Sequence, residues 1–149
     1  MKKIILIVLI SSMILFGVSV CNKESKEKDK PINNINVSEK LDTIINEGPE
    51  ISSIPFDYIK TNQKIYDELL DNPKETFEYA IKDLIETNAG NGLKSYLEAL
   101  SCLEINKNFQ YDFESANDFL EHYKEFLMDK NNNFNEYDKY ALKLLNKVG

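Results

Sequence analysis

The chain's single histidine, His122, stands four residues after Asp118 and three before Glu125, so all three project from one helix face. Imidazole and carboxylate at that spacing could hold a divalent metal, or serve a hydrolase as base and acid. Helical di-metal sites draw Glu-x-x-His from two helices, and one histidine cannot complete that set. The apolar stripe of this helix lies elsewhere, which places His122 on the solvated side. Asp129, Asn131 and Asn133 form a second candidate, with the 1-3-5 spacing of a calcium loop. An EF-hand needs glycine at the sixth position and a bidentate glutamate at the twelfth. Here those places hold Phe134 and Tyr140. The same residues also read as an Asn-rich connector in which Asn133 caps the next helix, with Glu136 as its partner.

A reactive thiol needs a neighbouring cation or a helix N-terminus to lower its pKa. Cys102 falls late in its helix and reads as a small buried apolar group. There is no G-x-S-x-G, no phosphate-cradling glycine loop, and no Cys–His pair with informative spacing. Aromatic residues are the other resource: eight Tyr and eight Phe, without Trp. Most tyrosines occupy boundary positions, where the ring is buried and the hydroxyl stays wet. Tyr79 and Tyr111 fall off or outside the apolar stripes. They are the candidate exposed aromatics for a peptide or glycan.

Helices must position all of these residues, because no stretch shows sustained strand alternation. Asn36 with Glu39 opens a short helix that stops at Gly48-Pro49. Ser53-Ile54-Pro55 opens the next, with Phe56, Ile59, Tyr66, Leu69 and Leu70 on one side. Asn72-Pro73-Lys74-Glu75 combines a cap, a first-turn proline and a box partner. Phe77, Ala80, Ile81, Leu84 and Ile85 then follow the helical period. A stop at Asn88-Ala89-Gly90-Asn91-Gly92 has glycine to take left-handed torsions. Leu93, Tyr96, Leu97, Leu100 and Leu103 mark the following helix. Asp112 or Ser115 starts one bearing Phe119, Leu120, Tyr123, Phe126 and Leu127, and Asn133 starts the last. The expectation for residues 37–149 is one all-α domain, an irregular bundle of about six helices. The 73–88 and 92–106 pair resembles a HEAT-type helix hairpin, but in a single copy.

All 18 basic residues are lysine and the net charge is −7. Without Lys2 and Lys3 the chain carries 16 lysines against 25 acids, a net charge of −9. That sign opposes phosphate backbones and anionic headgroups, and the lack of arginine removes the best bidentate phosphate ligand. Nucleic-acid binding is excluded on these grounds. Residues 22–36, NKESKEKDKPINNIN, are too polar to offset the entropy of ordering, and read as a tether with a reach of roughly 20 Å.

Ahead of the tether, residues 1–21 read MKKIILIVLISSMILFGVSVC: two lysines, a 17-residue apolar run, then Cys21. That order is a secretory export signal. With Val18-Ser19-Val20-Cys21 at its end, the segment resembles a bacterial lipoprotein precursor, in which the cysteine is acylated and becomes the mature N-terminus. The resemblance implies a covalent lipid on Cys21 and no other cofactor. Val20 stands where that pattern holds Gly, Ala or Ser, and an uncleaved membrane anchor is the alternative. The wording DYIKTNQKIYDELL … GNGLKSYLEAL is loosely similar to small helical lipoproteins of low-GC Gram-positive bacteria, and brings no catalytic motif. The expectation is a helical domain held outside the cytoplasmic membrane. It would be a non-enzymatic module that contacts another envelope protein, a peptide or a glycan. An envelope-acting hydrolase using carboxylates or His122 is the alternative.

Overall fold

The computed structural model describes residues 35–90 and 92–148. The expected export signal with Cys21, and the expected tether through Asn34, lie outside the described residues. From Val37 on, the chain is helical: α1 (Val37–Asn46), α2 (Pro55–Thr61), α3 (Gln63–Leu70), α4 (Pro73–Glu86), α5 (Leu93–Ile105), α6 (Ala116–Met128) and α7 (Glu136–Val148). No strand forms among the described residues, and no helix there is long and apolar enough to cross a membrane.

The Asn36 side chain accepts from the Glu39 amide at 3.2 Å, as its spacing predicts, and α1 buries Val37, Leu41 and Ile44. The helix expected to run on from Pro55 divides at Asn62, which raises the count among the described residues from six to seven. Asn62 is buried, and its amide donates to the Ile44 carbonyl at the end of α1 (3.3 Å) and to the Tyr58 carbonyl (3.4 Å). Satisfying a carbonyl left open by another helix is what interrupts this one. Phe56 turns outward after all, whereas Ile59, Tyr66 and Leu69 go into the core.

Pro73 does occupy the first turn of α4, but Asn72 does not cap it. Its side chain donates back to the Glu68 carbonyl at 2.8 Å, and the buried Thr76 hydroxyl donates to the Leu69 carbonyl at 2.7 Å. The stripe Phe77, Ala80, Ile81, Leu84 and Ile85 is buried as expected. Each such side chain, alanine aside, contributes about 1.5–3 kcal/mol by leaving water. At the end of α4 the left-handed torsions fall on Asn88 (φ 52°) and Ala89 (φ 44°), and no described glycine takes them. The Ala89 amide bonds the Leu84 carbonyl at 2.6 Å, a closure that needs this geometry and recovers an open carbonyl of the last turn.

Helices α4 and α5 pack as an antiparallel neighbouring pair, with α7 also against α4, α6 against α5, and α1 against α3 and α5. Helix α5 is the centre. Six consecutive residues, Leu97 to Cys102, are buried, so neighbours cover it on nearly every side. The segment from Phe109 to Phe113 adds an aromatic layer over α6: the Phe109 ring lies 5.0 Å from Tyr123, 5.3 Å from Phe126 and 5.9 Å from Phe119.

Candidate functional site

Ser115 caps α6 by accepting from the Asp118 amide at 3.1 Å, which fixes the turn carrying Asp118 and His122. His122 Nδ1 lies 2.9 Å from the Asp118 carbonyl and 3.1 Å from Asp118 Oδ1. Facing two acceptors, Nδ1 is the ring nitrogen placed to donate. The Tyr111 ring stacks on the imidazole at 4.0 Å, and its hydroxyl donates to Asp118 Oδ1 at 3.4 Å. Asp118 Oδ2 accepts from the Glu114 amide at 3.0 Å. This arrangement folds the 111–115 segment onto α6. It corrects one expectation: Tyr111 is a half-buried stacking partner and not a free aromatic, while His122, its side chain 39% exposed, keeps an open side beneath that ring. Glu125 is exposed and does not join them. Among the described residues no three His, Cys, Asp or Glu side chains are placed to hold a metal, so the Asp118–His122–Glu125 set is not assembled.

The calcium spacing dissolves into local bonds. Asp129 Oδ1 accepts from both the amide and the side chain of Asn131 at 2.9 Å, and the Asn133 carbonyl accepts from Asn108. Asn133 does not cap α7 either. Asn135 does, accepting from the Asp138 amide at 3.0 Å while Asp138 Oδ2 accepts from the Asn135 amide at 3.1 Å. That reciprocal box lies two residues beyond the expected one. Cys102 is wholly buried, and burial pushes its thiol well above the ordinary value, as suits an inert core cysteine.

Two cavities bear on the remaining candidates. Tyr79 is half-buried and lines an open cavity of about 560 Å³ with Glu75, Glu78, Lys82, Val37 and Tyr140. Lys82 pairs with Glu86 at 3.8 Å. Burial, then Glu78 and Glu86, push the Tyr140 phenol upward. The second cavity, about 290 Å³, has Pro55, Leu93, Tyr96 and Ala116 in its wall, and Glu114 is its one carboxylate. Ser53 and Pro55 on its edge alternate in sequence with Ile54 and Phe56, both 56% exposed, and Ile51 nearby is 99% exposed. The loop carrying them is held in place. Tyr58 lies flat on Gly48, where a Cβ would come within 2.0 Å of the ring, and its hydroxyl donates to the Ser52 carbonyl at 2.9 Å. Neither His122 nor Asp118 lines either cavity.

Two buried acids have no counterpart in the sequence reading. Asp138 accepts from Asn106 Nδ2 (2.6 Å) and the Tyr123 hydroxyl (2.8 Å) on one oxygen, and from Asn108 Nδ2 (2.6 Å) and the Asn135 amide on the other. Burial and the adjoining Asp138 carboxylate push the Tyr123 phenol upward. Glu98, equally buried, has no hydrogen-bond partner for either oxygen. Asp138 could have been found from the Asn135-x-x-Asp138 spacing. Glu98 had only a faint signal, the small residues Ala99, Ser101 and Cys102 that let neighbours close around α5. Comparison of the chain with protein-family models, curated proteins and solved structures finds no match to any of them.

Proposed function

We propose that the chain is a membrane-anchored, extracytoplasmic binding module, and that it contacts an apolar segment of another envelope protein. The observation that carries this is the rim of Ile51, Ile54 and Phe56, three large apolar side chains exposed within six residues beside a cavity with Pro55, Leu93 and Tyr96 in its wall. Exposed apolar groups clustered this way, on a loop fixed by Tyr58, mark contact surfaces. Placement outside the cytoplasmic membrane rests on the export-type signal and on Cys21 as the lipid-bearing residue. A mass measurement on the Cys21 peptide checks the lipid.

The surface is tested with a photo-crosslinking residue at position 54 in the full chain, with position 143 on α7 as control. Position 54 should yield a discrete crosslinked partner that position 143 does not, and Ile54→Asp with Phe56→Asp should abolish it at unchanged Tm. Equal labelling from both positions would refute the surface. The Asp118–His122 contact favours a second reading, an envelope-acting hydrolase. Full complementation of a deletion strain by His122→Ala would remove its histidine-based form.

A further inference from the structure

Glu98 sits mid-helix on α5, where the packing of α4, α1 and α5 shuts it from solvent. The charged and titratable groups around it are Asp83 on α4, Asp42 on α1, and Lys94 and Cys102 on its own helix. Lys94 does not neutralise it. The ammonium is turned toward α1, donating to Asp42 Oδ1 at 2.9 Å and Ser38 Oγ at 3.1 Å. A carboxylate left dry, without a donor and beside another acid is strongly disfavoured in its charged form, whereas the neutral acid is tolerated and can donate to Asp83. We infer that Glu98 is a proton-operated latch: as the neutral acid it lets α4 and α5 close on α1, and on losing its proton it forces that seam to open to water.

Burial first, and Asp83 second, push the Glu98 acid up to about 8, with Lys94 pulling the other way. Because the folded value lies above the unfolded one, the latch contribution is fully present below the unfolded carboxylate range, near pH 4. It falls as pH rises toward 8 and is gone above it. The device therefore loosens within the range an envelope protein meets.

Cys102 lies one turn beyond Glu98, is wholly buried, and serves as the reporter. The alkylation rate of Cys102 in the detergent-solubilised full chain, read by mass on its own peptide, is compared between wild type and Glu98→Gln. Both carry the thiol at the same place, and the Glu98 charge pushes the wild-type Cys102 thiol up and so slows its alkylation. That leaves opening of the seam as the cause of any rise in the ratio of their rates with pH. That ratio should rise at least tenfold from pH 5 to pH 9, and the wild-type Tm should fall over this range while that of Glu98→Gln changes little. A ratio independent of pH would overturn the latch. Should Glu98→Gln not fold, Glu98→Met takes its place. A carboxyl carbon resonance of Glu98 already at its ionised position by pH 6 would overturn the proposal in the wild type alone.

Discussion

Asp138 and Glu98 are both fully removed from water, yet their surroundings are opposites. Asp138, in the first turn of α7, takes four hydrogen bonds, from the chain around α5, from α6 and from the loop before its own helix. Glu98, in the middle of α5, takes none. The difference is one of position along a helix. A first-turn acid meets free amide groups and loop side chains, while a mid-helix acid meets backbone groups already paired. Burial alone therefore says little about what an acid does in this fold. The partners within 3 Å decide whether it fastens the structure or burdens it.

The largest effect expected from this contrast is Asp138→Ala. It would take the carboxylate from Asn106, Asn108 and the Tyr123 hydroxyl, leaving Asn108 the Asn133 carbonyl and Asn106 the Tyr123 hydroxyl, and remove one half of the α7 box. A loss of about 3–5 kcal/mol in urea unfolding is expected. A loss under 1 kcal/mol would erase the distinction between the two acids. Glu98→Met should act in the reverse direction, since no hydrogen bond is given up and an acid is replaced by a flexible apolar chain. A gain of about 1–3 kcal/mol at pH 8 is expected, shrinking toward pH 5. Destabilisation at pH 8 would mean that Glu98 has a partner after all. Tyr123→Phe is the smallest. Asp138 Oδ1 keeps Asn106, so about 1 kcal/mol should be lost, checked by the same unfolding midpoint.

What could be read from the sequence was local. The Asn36 and Ser115 caps and the buried face of α4 each follow from residues within two turns, and the structure has them. The misreadings share a cause in contacts from far along the chain. Asn62 divides α2 from α3 because its side chain meets Ile44, 18 residues earlier. The choice of Asn135 over Asn133 as the α7 cap accompanies Asp138's bond to Asn106, 32 residues away. Tyr111 loses its exposure to an imidazole eleven positions on. Glu98 was hidden because a stripe count assumes one buried face, and α5 is covered almost all round.

Helix α7 lays Tyr137 against Phe77 of α4 at 4.8 Å and supplies Asp138 to the buried polar groups between α5 and α6. A chain is made from its N-terminal side. The four helices from α3 to α6 therefore emerge before the side chains that complete their packing, with Asn106 and Tyr123 waiting for an acceptor. The domain acquires its final order only when its last helix arrives. A shortened chain lacking α7 would never reach that order.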